Sequence, residues 1–539
     1  MKTKYLIIIC TLVCCQAVAQ TDSLLIRDYQ TVKSGDAWLT STNAAALTRF
    51  SSQNIAEAEA SLTIGNGGLV DYNGSDKIVS ANIGIESFYR LGRRVVVYGD
   101  ISYVNWTGWH MTGSAFLPLN ARHPFDIVEA TTENEGRKHS DIYHLKGGCG
   151  VDVYNGISLG AYVDYTAGNY AKYKDLRHKN KLMDLSASVS AYAPVTDWLS
   201  LGAAYIYHRQ SESVDFGTYG KSEKVYKSLI DYGAFMGREE QFGNEGFTDK
   251  AREMPLFEDG HGGIFQLEVT PFSIYQMPVT LYGSIGFSHG SGYYGRRSPY
   301  TVTLTDHDRD ILDIQGRISM SGSKSRFYLD LSYAKEKVHN NAETYRELTN
   351  DNGATYYEYF DAVETGDKQW KDFALSANAL LGMHGEMPTW RLGIAYKWHE
   401  RNISSYLYPF YRHQLLSNNT VEISATRNII CRKGVWSVSI NGSYQKGSGE
   451  PFLDGAFVTP SNLQELPSVM ETFLNQEYRY FTAPQYTIGA GVKYAFVFPN
   501  TRLKTHARIG FSHRTTNEHN DYTIGNRHTQ FTVAVGCTF

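Results

Sequence analysis

The sequence predicts an all-β fold, a transmembrane antiparallel up-and-down β-barrel of roughly 18 strands, within a range of about 14 to 18. Three observations carry it: many segments alternate apolar and polar residues with period two, short turns alternate with long polar connections, and the chain ends on an alternating strand closed by Phe539.

The final stretch TQFTVAVGCTF places Phe531, Val533, Val535, Cys537 and Phe539 on one parity and Gln530, Thr532, Ala534, Gly536 and Thr538 on the other. Around residues 140–168, Tyr143, Leu145, Cys149, Val151 and Val153 share one face. A two-residue Asn155-Gly156 turn follows, and Ile157, Leu159, Ala161, Val163 and Tyr165 resume the pattern. The pair spanning 484–513 repeats it, with Tyr486, Ile488, Val492 and Tyr494 opposite Thr487, Gly489, Gly491 and Lys493. Further strands are expected near 55–66, 77–90, 94–106, 182–193, 198–208, 262–270, 278–288, 310–320, 326–336, 371–382, 389–400, 419–429 and 435–445. Tight turns fall at 91–93, 155–156, 194–197, 321–325, 432–434 and 498–501. Long polar segments fall at 107–139, 209–261, 337–370 and 446–483. One closed wall with short turns at one rim and long loops at the other produces this alternation, whereas a two-sheet sandwich has no reason to. In that reading the apolar parity faces lipid and the small or polar parity faces the lumen.

The opening MKTKYLIIICTLVCCQAVAQ has Lys2 and Lys4, an apolar run from Tyr5 to Cys15, and the small-x-small site Ala17-Val18-Ala19. This is the pattern of a cleaved secretory signal over residues 1–19, with the mature chain starting near Gln20. Residues 20–54 then form a periplasmic N-terminal segment or small hatch, and 55–539 the barrel. A lipoprotein signal is disfavoured because Val13 precedes Cys14 and Cys14 precedes Cys15. Cys149, Cys431 and Cys537 remain, odd in number and far apart, which is neither a disulfide framework nor a metal-ligand spacing. Against 55 acidic and 51 basic residues, loss of two signal lysines leaves a net charge of −6, so nucleic acid is not expected as a partner. The mean hydropathy of −0.36, with no long apolar run after the signal, argues against helical membrane spans and leaves a barrel open.

The AVAQ signal end, the aromatic strands and the terminal Phe539 together resemble uncharacterised outer-membrane β-barrel families of Bacteroidota-type bacteria, over nearly the whole mature chain. The resemblance implies a bacterial outer-membrane location and insertion by the barrel-assembly machinery with Phe539 as the assembly signal. It also implies a TonB-dependent receptor or a surface lipoprotein as partner. The stretch Asn43-Ala44-Ala45-Ala46-Leu47 resembles the hatch of fatty-acid-transporter-like barrels, with Ala44 where that family has Pro. A short periplasmic tail or strand-covering segment is the plainer reading.

Inward charges are segregated along the sequence. Early strands point Glu57, Glu59, Glu86, Asp100, Asp152 and Asp164 into the lumen, and late strands point Arg391, Lys397, Lys493, Lys504, His506 and Arg508. Closure sets Glu57 and Glu59 beside Lys504, His506 and Arg508. The arrangement reads either as a polarised channel for a charged solute or as an ion-pair ladder that fills the barrel. Aromatics in ATYYEYFDAVETGDKQW (354–370), SGYYGRRSPY (291–300) and ETFLNQEYRYFTAPQY (471–486) read as loop packing and interfacial anchors, or as a surface for sugars or a partner. TDHDRD offers Asp306, His307, Asp308 and Asp310, and SHGSG offers His289 and Ser291, but no ordered catalytic motif accompanies them. No catalytic residue, metal site, cofactor or enzymatic activity is expected. The expected function is a channel or accessory component for uptake of a small solute. The alternative is a non-conducting surface binding or structural barrel acting through its aromatic loops; an outer-membrane hydrolase ranks behind both.

Overall fold

The computed structural model describes residues 23–119, 122–129, 131–219, 224–242, 254–298, 301–498, 501, 503–519 and 521–539. The signal expected over 1–19 lies outside the described residues. The wall consists of 18 strands. They are β1 (Ile55–Asn66), β2 (Lys77–Arg90), β3 (Val95–Met111), β4 (Gly136–Tyr154), β5 (Ile157–Lys172), β6 (Arg177–Thr196), β7 (Leu199–Gly217), β8 (Met254–Ile274) and β9 (Met277–Ser298), then β10 (Thr301–Ser321), β11 (Ser325–Ala342), β12 (Val363–His384), β13 (Met387–Leu407), β14 (Phe410–Cys431), β15 (Gly434–Gly449), β16 (Gln485–Val497), β17 (Lys504–Thr516) and β18 (Arg527–Thr538). Each pairs antiparallel with its sequence neighbour. β18 closes on β1 from Glu57 opposite Thr538 to Asn66 opposite Thr529. Phe539 completes the seam by exchanging backbone hydrogen bonds with Ala56 at 2.9 and 3.0 Å.

Closure leaves no edge, and the period-two pattern then decides the faces. Ile83, Ile85, Ile101, Leu145, Val163, Ile285, Ile394, Ile440, Ile488, Ile509 and Val533 all stand exposed on the outside of the wall. A continuous outward apolar band is what a barrel presents to hydrocarbon. Short turns lie at one rim, including two that alternation had not marked, at 275–276 and 385–386. The long connections leave from the other rim.

Several strands run past the expected segments towards the long-connection rim. The expected long loop at 209–261 is strand up to Gly217 and again from Met254, and β9 runs to Ser298, into the expected loop at 291–300. The wall there rises beyond the apolar band and is polar on its outer face, so alternation ceases while the hydrogen-bond ladder continues. Segments of the connections after β3, β7 and β15 also fold inward, whereas the one after β11 forms an exposed hairpin, Tyr345–Thr349 with Thr355–Tyr359. Asp126–Glu129, Tyr226–Gly233, Met236–Phe242 and Ser468–Val469 form a four-stranded sheet. Its Ile127 and Ile230 pack with the inward wall residues Val214, Phe216, Leu256 and Tyr294. A helix, Glu471–Thr482, covers this sheet through Phe473 and Leu474, which meet Val128, Leu229 and Phe235.

Outward Val535 and inward Ala534 test the two faces. Val535 is 57% exposed and Ala534 is buried against the lumen contents. Val535→Arg should lower barrel stability by about 2–4 kcal/mol near the bilayer midplane, and Ala534→Ser by under about 1 kcal/mol. Urea unfolding in lipid measures both, and equal losses would contradict the assignment of faces.

Candidate functional site

The barrel interior is the candidate site, and two plugs shape it. The first is the N-terminal segment, residues 23–54, which lies inside the short-turn rim. It is built of short turns, each fixed by a side-chain cap: Asp28 accepts from the Thr31 amide, Asp36 from Trp38 and Asn43 from Ala46, at 3.1, 3.0 and 3.3 Å. Trp38, Ala44, Ala45, Ala46, Leu47 and Phe50 are fully buried. The wall admits this backbone by omitting side chains. A Cβ on Gly150 would sit 2.5 Å from the Ala44 carbonyl oxygen, one on Gly160 2.3 Å from the Ala45 nitrogen, and one on Gly202 2.6 Å from the Trp38 ring.

Polar contacts fasten the hatch around the wall. Asn43 Nδ2 donates to the Ala191 carbonyl and to Gln266 Oε1 at 3.0 and 2.9 Å. The Ala45 amide donates to Ser190 Oγ, and Trp38 Nε1 donates to Glu268 at 2.9 Å. Arg49 bridges Asp36 and Glu268 at 2.9 and 3.0 Å. On the far side Arg317 donates to the Ser34 carbonyl, and Arg391 to Thr31 Oγ1. The chain therefore enters the lumen as a fastened hatch.

The second plug is the inner sheet with its helix, held by buried ion pairs. One chain of contacts runs His307–Glu258–Arg309–Glu336–Arg122–Asp372–His399, in which Arg122 comes from the inward-folded connection and the other groups from the wall. Arg401 grips Glu477 of the helix through two bonds of 2.7 Å, and Arg412 donates to the Ala234 carbonyl of the inner sheet's hairpin at 3.1 Å. Lys172 binds Glu129, and Lys138 donates to the Ser114 carbonyl at 2.7 Å. Within the plug, burial pushes the Asp231 carboxyl up to about 7 despite Lys368 nearby. Burial, with Arg309 and Lys368 adding to it, pushes the His123 imidazole down to about 4. A cavity of about 80 Å³ lies among these groups.

Between the plugs the inward wall is open. On β6 the hatch reaches Ser190 and the upper plug packs at Leu182, separated by roughly 25 Å of strand at ~3.3 Å per residue. Inward side chains at this level keep contact with solvent: Lys397 is 53% exposed, Glu422 41% and Asp184 38%. A chamber lined by solvent-exposed charges therefore lies between the two plugs.

Every lumen residue expected from the sequence points inward, in distinct settings. Glu59 meets His506 at 3.1 Å and Arg508 at 2.5 Å, and Glu57 faces Lys493 at 3.7 Å. Lys504 meets the hatch instead, donating to the Arg27 carbonyl. Glu86 takes Lys33 of the hatch at 2.6 Å, and Arg391 lies 3.4 Å from Asp28. Asp100 and Asp164 flank His144, with Lys146 on Asp164. Lys397 pairs with Glu422 at 2.8 Å. Asp152 sits at the rim, accepting from the Gly156 amide of its own turn.

Other groups went unread in the sequence. Arg309, Glu258, Arg401 and Lys368 lie in strand extensions beyond the expected segments, and Glu336 is the last residue of the expected strand 326–336. The inward glycines 150, 160 and 202 were the available signal for the hatch. The acid and histidine cluster, expected at an outer loop, instead divides across the wall of β9 and β10. His307 is buried inward on Glu258, whereas His289 pairs with Asp310 at 2.8 Å on the outer face. Tyr294, expected in a loop, is a buried inward residue packed edge-on against Phe125.

The sequence matches a family profile over residues 44–539, from the middle of the hatch to the last residue. It belongs to the family of unknown function DUF6850. No functionally curated protein matches it. Among solved structures, the DUF6850 barrel is similar to BauA, the ferric preacinetobactin receptor of Acinetobacter baumannii. That match has 10% identity and a TM-score of 0.36, covering 90% of this chain and 80% of that one. It is similar too to the outer membrane transporter YddB of Escherichia coli, with 9% identity, a TM-score of 0.41 and coverages of 90% and 81%. The ferric enterobactin receptor PfeA of Pseudomonas aeruginosa gives 8%, 0.40, 92% and 84%.

The seam charges give a direct test. In a double-mutant cycle of Glu59→Gln and Arg508→Gln, urea unfolding in lipid should show coupling of roughly 0.5–3 kcal/mol, because both groups lie inside the barrel beside buried His506. Purely additive effects would contradict the closure register.

Proposed function

We propose that this chain is a bacterial outer-membrane barrel that passes a small polar solute and is occluded in the conformation described. The observation that carries this is the wet, charged chamber held between two plugs. A barrel serving only as a scaffold gains nothing from partly exposed, paired charges in its middle, whereas a passing solute needs polar groups that release it as readily as they bind it. In this reading a signal ending near Ala19 is removed, the short-turn rim faces the periplasm and the long-connection rim faces outward. Phe539 serves as the signal to the barrel-assembly machinery, and a TonB-dependent receptor or surface lipoprotein acts alongside. The chain acts on its solute by passage and not by catalysis.

The hatch is the movable part, since it is short, built of single turns and fastened by separate contacts. Planar-bilayer recording tests this. The intact protein should show brief, infrequent openings. A disulfide between Ala45→Cys and Ser190→Cys, in a background lacking the native cysteines, should abolish them, and reductant should restore them. Removal of residues 23–50 should give sustained current. A folded barrel that stays silent in every form would overturn passage. It would favour a surface-binding barrel acting through the exposed hairpin Tyr345–Thr349 with Thr355–Tyr359, whose Tyr345, Tyr356 and Tyr359 face solvent.

A further inference from the structure

A second cavity, of about 240 Å³, opens between the wall at β17, β18 and β3 and the helix Glu471–Thr482. At ~30 Å³ per water it holds roughly eight waters, so a solute of monosaccharide size fits. Trp106, Tyr480, Ser512, Arg514, His528 and Gln530 line it. The charges differ from most of those elsewhere in the lumen. Arg49, Arg122, Arg309, Arg401, Arg412 and Arg508 each lie on a carboxylate. Arg514 instead donates to a neutral group, the Tyr480 hydroxyl, at 2.5 Å. The carboxylate that shares the pocket, Asp71, is turned to its own loop, where it accepts from the Asn73 amide at 3.1 Å. Burial, with Glu477 adding to it, pushes its carboxyl up to about 6, against the Asn73 and Gly74 amides and the Arg514 charge, which pull it down.

His528 supplies a complementary group. Its Nδ1 lies 2.8 Å from the Gly67 carbonyl, which fixes the proton there and leaves Nε2 as an acceptor. Nε2 has a long 3.4 Å contact with Gln530, and a Cβ on Gly65 would stand 3.0 Å from it. The pocket thus presents a cation with donors to spare, an acceptor for a hydroxyl, amide and hydroxyl groups, and an indole ring as an apolar wall.

We propose that this pocket binds a small hydroxylated carboxylic acid, with Arg514 on the carboxylate, His528 on a hydroxyl and Trp106 against the apolar face. The proposal deepens the passage reading and rests on it for its role, since it names the class of solute that enters the chamber. Binding itself needs no passage, and this keeps the two separable.

Titration calorimetry of the full chain in detergent, with D-glucuronate and D-glucose as probes, tests it. The two sugars share a ring and differ in the carboxylate. Glucuronate should bind saturably and at least about 10-fold tighter than glucose. Arg514→Gln should bring the affinities for the two sugars within about 2-fold of each other, and Arg514→Lys should retain part of the preference, each variant being checked for a folded barrel by heat-modifiable migration. Equal affinity for the two sugars, no saturable glucuronate binding at millimolar concentration, or an undiminished preference in a folded Arg514→Gln barrel would overturn the site. Binding without conductance would sink passage and keep the site; conductance without binding would do the reverse.

Discussion

An eighteen-stranded wall encloses more space than its own inward side chains can fill, and barrels of this size stand open unless other segments enter them. Much of the interior follows from that constraint. The chain fills the space with two of its own segments, one from each rim, and the wall is written to receive them. It offers glycines where the hatch backbone lies against it, and Lys138, Lys172, Arg401 and Arg412 where the upper plug brings acids or carbonyls.

Ion pairs of this kind fix position more than they add stability. Removing two charges from water costs several kcal/mol per ion, and their attraction repays it only in good geometry, so a buried pair contributes little net. A misplaced plug, however, leaves a charge such as Arg401 or Lys172 buried without its partner, at about 3–5 kcal/mol. The upper plug is therefore held in one register by the penalty on all others. The hatch is held by hydrogen bonds from Asn43, the Ala45 amide and Trp38, the last onto the Glu268 carboxylate, together with salt bridges at Lys33, Arg49 and Arg391 whose side chains are about a third exposed or less.

The fold was legible because hydrocarbon outside and polar contents inside impose period two on every strand within the apolar band. Tyr143 to Tyr165 and Gln530 to Phe539 show this residue by residue. Legibility ended where that contrast ended. Above the band, β8 carries Asp259 and His261 outward and Glu258 inward, so strand read as loop, and Glu258, the acid that joins His307 to Arg309, stayed hidden. The hatch was hard to read because its turns are specified by Asp28, Asp36 and Asn43, caps that mark local structure without saying where it docks. Inward charges such as Glu59 and Arg508 were visible from parity and closure. Whether Lys504 faces a wall acid or the hatch depended on a segment whose location parity does not encode.

The central claim is that the chamber is wet but closed at both ends. Ser186 lies on the inward face of β6 between the plugs, and Ser186→Cys in a background without the three native cysteines places one thiol there. Labelling by a membrane-impermeant maleimide in proteoliposomes measures its access directly. The account predicts slow labelling in the intact chain and labelling at least about 10-fold faster once residues 23–50 are removed; rapid labelling in both, at the same rate, would contradict it.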